Sequence, residues 1–437
     1  MNYPLPLSPV FTRCYTKSIT NIQEVPAMNS PTEDQIRSFR LRSHHLDRIY
    51  GRETLLEAAG ACGLQNSPPG AWEAAIHNRI PELGGKELRD VLEENKILLQ
   101  AWSFRGVPVV FPAEERRTFL SALIPAEGEP WIYTRGIGLA LDALGLDFDY
   151  LLRLLLQVIP GLDHRSISGK NELDQMLAAW MEPFLPEEKR QIWNQPSMYG
   201  SPDRQTVGGA AVSFLLRPCS FMGQVVFGKR RGGSPEFTSA GRWLNEADRE
   251  PGQTDLPGPD GEASRCLVRK FLHCYGPSSP DLFGEWLGCS GKQARRMWNL
   301  AAEEMEPVSV MGKKKFFLRE DRQILFESPD FSRGPLLLSG YDPYLDQRDR
   351  QILQPDSRLR RKIWRTVANP GAVVTEGRVT GIWTARKKKD GLEVDISLWE
   401  PGDSRRRLTE LAEDYAAFRG LALSELTWTE GGDREWN

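Results

Sequence analysis

The chain has 437 residues, 40% of them hydrophobic and 26% charged, with a formal net charge of −3. At about 150 residues per domain this length predicts three or four domains and excludes a single ordinary core. The near-neutral charge excludes a uniformly basic nucleic-acid binder. The longest apolar run, residues 150–159, is broken by Arg153 and Gln157 and falls short of the about 20 residues that a membrane span needs.

Residues 1–33 carry prolines at positions 4, 6, 9, 26 and 31 and no apolar period, so they are expected to form a poorly ordered tail. No basic head, apolar core and small-residue cleavage site open the chain, and a cytoplasmic protein is expected. Ser30-Pro31-Thr32-Glu33 reads as a helix start. An apolar stripe of Ile36, Phe39, Leu41, Leu46 and Ile49 follows. Helical patterns cover 52–61, 70–80 and 86–95, with a polar turn at 63–69 between the first two. Residues 97–111 are two apolar runs hinged at Arg105-Gly106, a hairpin signal.

Helices followed by a hairpin are the layout of a winged helix. The layout recurs. Residues 113–122, 134–160 and 168–180 are helical, and an apolar hairpin from Cys219 to Phe227 and Phe237 surrounds Lys229-Arg230-Arg231-Gly232-Gly233. Residues 248–262 are a proline- and glycine-rich linker. The third copy has helices from Ala263 to Tyr275, over 281–286, and over 292–304 with Arg295 and Arg296. A hairpin of 308–311 and 316–318 follows, with Gly312-Lys313-Lys314-Lys315 at its tip. A basic loop between two apolar strands after a helix-turn-helix suits phosphate contact.

Residues 336–338, 372–375, 378–383 and 392–398 are strand-like, with turns at Glu376-Gly377 and at 388–391. An amphipathic helix at 404–420 closes this last part. The expected fold is therefore α+β: three tandem winged helices followed by a small antiparallel β-barrel. The expected division is a tail (1–33), winged helices at 34–120, 121–250 and 251–333, and a barrel at 334–437. None of the six cysteines has the two-residue spacing of a zinc or redox motif, and no disulfide is expected. Adjacent helical positions point about 100° apart, which argues against His44 and His45 as a metal pair. No phosphate loop or hydrolase elbow is present. Neither metal nor cofactor is expected.

The ordered landmarks over roughly residues 36–400 resemble the bacterial AlkZ/YcaQ-type DNA glycosylases, a family of winged helix DNA-binding domain proteins. The resemblance rests on Leu64-Gln65-Asn66-Ser67, Trp102-Ser103-Phe104-Arg105-Gly106, Leu215-Leu216-Arg217-Pro218, Tyr275-Gly276-Pro277, Gly340-Tyr341-Asp342-Pro343-Tyr344 and Gly377-Arg378-Val379-Thr380-Gly381. It implies three winged helices and a barrel around a DNA-sized channel. It also implies monofunctional excision of bulky alkylated purines, interstrand crosslinks included, without metal or nucleotide.

The family's catalytic pair is carried over to Gln65 and Ser67. The DNA contacts expected beside them are His44, His45, Asn66, Arg105, Lys229, Arg230, Arg231, Arg295, Arg296, Lys313, Lys314 and Lys315. The expected partner is double-stranded DNA, alkylated or crosslinked, and the protein is expected to be a monomer that meets no membrane. Two departures matter. Ser67 stands where the family has Gln or Asp, and Val107-Pro108-Val109 stands where it has Thr-x-His. A hydroxyl is shorter than either side chain and brings no negative charge to a sugar cation. A non-catalytic DNA-binding protein, a regulator or damage sensor, is therefore the alternative reading.

Overall fold

Thr32 opens the first helix of a computed structural model that describes residues 30–200, 203–245, 256–399 and 405–430. Its side chain accepts from the Gln35 N–H at 3.1 Å, and the Gln35 side chain accepts from the Thr32 N–H at 2.9 Å. This reciprocal cap starts the helix Glu33–Ser43, at the expected place. The tail expected over 1–33 lies outside the described residues as far as position 29. Short helices Leu55–Gly60, Ala71–His77 and Gly85–Glu93 follow. Strand β1 (Leu64–Gln65) pairs with β3 (Pro108–Pro112), and β3 pairs with β2 (Leu98–Trp102), all antiparallel. Arg105 and Gly106 turn the β2–β3 hairpin with φ of 55° and 68°.

The second unit holds helices Gly138–Leu144, Phe148–Val158, Lys170–Met181 and Val207–Phe221. The last helix corrects the expectation of a strand starting at Cys219. Its Pro218 sits within the helix, and Cys219 is fully buried. The hairpin proper is β5 (Val226–Arg231) with β6 (Ser234–Thr238), and the short β4 (Ile167–Ser168) borders β6. The first two hairpins are not separate. Gln100 of β2 pairs with Phe227 of β5, which gives one six-stranded sheet in the order β1-β3-β2-β5-β6-β4. Strand β2 explains the merger. All five of its residues are buried, and such a strand needs a neighbour on each edge.

The third unit has helices Gly261–Tyr275, Pro280–Leu287 and Gly291–Asn299, then a two-stranded sheet of β7 (Met305–Val310) and β8 (Lys313–Leu318). Met311 and Gly312 alone make its turn, with φ of 50° and 73°, as a two-residue hairpin requires. The three lysines expected at the tip therefore lie on β8.

The C-terminal sheet runs β13-β12-β11-β10-β9: Leu423–Glu430, Gly391–Leu398, Arg378–Lys388, Gly371–Thr375 and Leu336–Leu338. It is antiparallel except that β12 and β13 are parallel, joined through the helix Arg405–Phe418. That last strand, and the helix Ser357–Ile363, were not apparent from the sequence. The two outer strands are not paired to one another among the described residues, so the sheet has two edges where a barrel was expected. The molecule is a mixed α+β protein. No described helix is long and apolar enough to cross a membrane.

Two buried arginines join these parts. Arg79, 1% exposed, grips Asp342 through both guanidinium ends at 2.8 and 3.0 Å and donates to the His44 and Ala75 carbonyls. Arg40, fully buried, pairs with Asp349 at 2.9 Å and donates to the carbonyls of Tyr275 and Gly276. Removing one partner of a buried pair strands the other charge. Asp342→Asn or Arg79→Met is expected to cost about 3–5 kcal/mol in a denaturant titration, far more than Arg52→Met at the exposed Arg52–Glu82 pair.

Candidate functional site

The turn at 63–69 is built by its glycine and its asparagine. Gly63 has φ +74°, and a Cβ there would stand 2.8 Å from Val109 Cγ1. Glycine thus lets β1 lie flat on β3, with Leu64 opposite Val110 and Gln65 opposite Val109. Asn66 is 4% exposed and wholly engaged. Its Nδ2 donates to Gln100 Oε1 at 3.0 Å, its Oδ1 accepts from the Gly70 N–H at 2.8 Å, and its own N–H donates to the Pro108 carbonyl at 2.8 Å. It shapes the loop from within.

Gln65 is half-buried, and its amide nitrogen donates to the Ser67 carbonyl at 2.8 Å. A carbonyl only accepts, so this bond fixes which end of the amide faces the loop. The acceptor end, Oε1, is thereby turned away from that carbonyl. Ser67 enters this arrangement through its carbonyl rather than its hydroxyl. Val109, fully buried opposite Gln65, supports the strand pair and offers no polar group.

Gln65 and Gly63 line a hollow of about 60 Å³ with Tyr341, Asp346, Arg350, Trp364 and Asn369. An ordinary ligand pocket has roughly 300–1,000 Å³, so this one suits water rather than a purine. Two acids line it: Asp342, gripped by Arg79, and Asp346, which is held by Arg105 and Arg348, each at 2.7 Å. Arg350 lies over the Trp364 ring at 4.8 Å. Burial, then the charge of Arg348, pushes the Arg350 guanidinium below its ordinary value.

A second hollow of about 440 Å³ shares Arg350 and Trp364 with the first. Its other cations are Lys313, Lys315, Arg348, Arg360 and Arg361. The strand period explains the lysines. Residues 313 and 315 face this groove, while Lys314 points away and lies over Phe316 at 5.2 Å. Burial also lowers the Lys315 ammonium, with Asp349 opposing. Crowded, partly desolvated cations of this kind are relieved by an anion.

Several expected contact residues stand elsewhere. His44 is 1% exposed, with Nδ1 at 2.8 Å from the Arg40 carbonyl, and is a core group rather than a surface one. His45 is half-buried, and desolvation pulls its pKa down to about 4. Arg105 braces the first hairpin to the Trp286 carbonyl and to Asp346. Lys229 and Arg231 pair with Glu94 and Glu236 at 2.6 Å each, and the Arg230 guanidinium donates to the Gly233 carbonyl. Arg296 is clamped on Glu129, whereas Arg295 is exposed. The structure thus brings Gln65, Lys313 and Lys315 to adjoining surfaces and engages most of the others internally. Arg350, Trp364 and Asp346 were missed. The sequence signal available was the basic cluster at 358–362, adjacent to Trp364.

The sequence model described as "DNA glycosylase AlkZ-like" matches residues 58–418. The chain belongs to the AlkZ-like DNA glycosylase family. A curated relative from Streptomyces sahachiroi, named "Interstrand DNA cross-link repair glycosylase", is 29% identical over 333 residues, 74% of this chain and 79% of that protein. The solved structure of Streptomyces sahachiroi DNA glycosylase AlkZ matches with a TM-score of 0.69 at 21% identity. That match covers 92% of this chain and 100% of the other, and shows that the AlkZ-like fold is shared. Both Gln65 and the C-terminal residues that enclose it fall inside the family match.

The loop geometry predicts a separation of stability from function. Asn66→Ala leaves Gln100 and the Gly70 N–H without partners and is expected to cost about 1–3 kcal/mol in thermal or denaturant unfolding. Gln65→Ala, whose side chain only reaches its own loop, is expected to leave the melting temperature within experimental scatter.

Proposed function

We propose that this protein is a DNA glycosylase that binds duplex DNA and excises N-alkylated purines, crosslinked ones included, by hydrolysing the N-glycosidic bond. The observation that carries this reading is the junction of two hollows. Gln65 lines a water-sized one, and a groove of lysines and arginines adjoins it through Arg350 and Trp364. The name of the curated relative, an interstrand DNA cross-link repair glycosylase, supports the substrate class.

The chemistry asks little of the protein. Alkylation at N7 or N3 makes the purine a cation and a good leaving group, so the sugar develops oxocarbenium character as the bond lengthens. Gln65 Oε1, an acceptor fixed by the bond from Nε2 to the Ser67 carbonyl, aligns a water or faces the developing positive charge. A hollow of about 60 Å³ admits that water and leaves the bulky base outside. Asp346 supplies the nearby carboxylate that Ser67 lacks, oriented by Arg105 and Arg348. The cationic groove takes the phosphates, sequence-independently.

In this reading the helices and hairpins act as three winged helices over 34–120, 121–250 and 251–333, with the C-terminal sheet at 334–437 as the fourth part. The protein works as a cytoplasmic monomer without metal at its reaction centre or nucleotide cofactor. Binding without catalysis, as a regulator or damage sensor, is the second reading, favoured by Ser67 lending its carbonyl rather than its hydroxyl.

With N7-alkylguanine duplex, the wild type is expected to release base and leave alkali-labile sites. Gln65→Ala should lower the single-turnover rate by about 10²–10³, as loss of one preorganised electrostatic partner does. No abasic product from the wild type, with binding retained, would establish the non-catalytic reading instead. For binding, Lys313→Ala and Lys315→Ala should each flatten the log–log salt slope by about 0.9. Lys314→Ala should change it less, and equal effects at all three positions would refute the assigned groove.

A further inference from the structure

Three segments distant in sequence bring His44, Cys62 and Cys274 together in the core, with one ring nitrogen and the two sulfurs all within 4.8 Å of one another. All three residues are buried, at 1%, 3% and 0% exposure. Neither cysteine is in a disulfide. The imidazole is turned in the manner of a metal ligand. Its Nδ1 is 2.8 Å from the Arg40 carbonyl, so that nitrogen carries the proton and Nε2 keeps the lone pair. Nε2 is buried and has no hydrogen-bond partner among the described residues. Several other buried polar atoms share that state, but this one is a lone pair on a ring grouped with two thiols, and a buried acceptor of that kind calls for an explanation. The Tyr275 hydroxyl lies 3.5 Å from Cys62 Sγ and donates to the Pro343 carbonyl at 3.0 Å, so it borders the cluster as a neutral phenol.

The geometry points to a structural zinc site formed by His44 Nε2, Cys62 Sγ and Cys274 Sγ. The donor set of one imidazole and two thiols selects a thiophilic or borderline cation and excludes calcium and magnesium. Charge balance favours the divalent ion. Two thiolates and a neutral imidazole around Zn²⁺ sum to zero, which a dry interior tolerates, whereas Cu⁺ would leave one negative charge buried. Binding releases the two thiol protons. With Zn–S of about 2.3 Å and Zn–N of about 2.0 Å, neighbouring ligand atoms sit about 3.4–3.8 Å apart, so separations that reach up to 4.8 Å must shorten to that range. The sequence hides the site because its ligands lie at positions 44, 62 and 274, with none of the short spacings that mark zinc motifs.

Position gives the site its use. His44 caps the C-terminus of the first helix, Cys62 directly precedes Gly63 of the Gln65 loop, and Cys274 lies in the last turn of the helix Gly261–Tyr275. Zinc here pins the Gln65 loop to the first helix and to the third unit. This holds whether or not the protein is a glycosylase, and its test does not involve DNA.

The full-length chain, purified without chelator, is analysed for metal. It is also unfolded with chelator and refolded with Co²⁺ or Zn²⁺. About one zinc per chain is expected as isolated. Refolding with cobalt should give a thiolate-to-cobalt charge-transfer band that one equivalent of zinc abolishes, and zinc should raise the melting temperature of the stripped protein. Cys62→Ser, Cys274→Ser and His44→Gln should each weaken or lose the band. Two findings would overturn the site. One is a wild type that shows no zinc and no cobalt band while refolding normally. The other is mass mapping of a Cys62–Cys274 disulfide in the isolated protein.

Discussion

The buried pair of Arg79 and Asp342 is the constraint on which the arrangement depends. Its partners are 263 positions apart, and neither reaches water. A guanidinium has five donors and no acceptor, so a buried one must find several oxygens at once. Arg79 finds the Asp342 carboxylate and the carbonyls of Ala75 and His44. The helix bearing the Gln65 loop, the end of the first helix and the start of the C-terminal part are thereby fixed to one side chain. Tyr341, Asp342 and Pro343 are held in the same stroke, and they form one wall of the hollow that Gln65 lines. The candidate site is a seam between the beginning and the end of the chain.

The seam clarifies the roles of the residues in the Gln65 loop. Sequence comparison draws attention to alternate polar positions, 65 and 67, as if they were equivalent. The structure makes them unequal. Asn66 is the internal fastener, Ser67 supplies a carbonyl that orients its neighbour, and Gln65 alone presents a side chain to the hollow. Acidic character enters from Asp346 and from the Arg79-bound Asp342, in a different part of the chain.

What was legible in the sequence was local. The helix start within 30–33, the hinge at Arg105-Gly106, the third-unit helices and the turn at Glu376-Gly377 each follow from a few adjacent residues, although Pro31 precedes the Thr32 cap and is not in the first turn as expected. The lysines of β8 were misplaced by a small margin, because a two-residue turn needs only Met311 and Gly312 and leaves the charges on the strand. Long-range pairing was not legible. Nothing in Leu98–Trp102 says that its second edge will be taken by Val226–Arg231, and the separate hairpins expected are one sheet as a result. The same holds for the basic clusters. Composition counts Lys229 and Arg231 as available cations, but their nearest acids, Glu94 and Glu236, neutralise them, while Arg350 from an unremarked stretch faces the groove.

The shared sheet has a mechanical consequence. Hydrogen bonds continue from β1 to β4 through both of the first two units, so those units form one plate rather than two jaws on a hinge. A plate does not close around what it holds. Shape adjustment then falls on the duplex, whose bending and groove-width costs vary with sequence and with how far a lesion has already loosened the stack. Discrimination between damaged and intact DNA can in this way arise from the compliance of the nucleic acid, without any side chain reading the altered base.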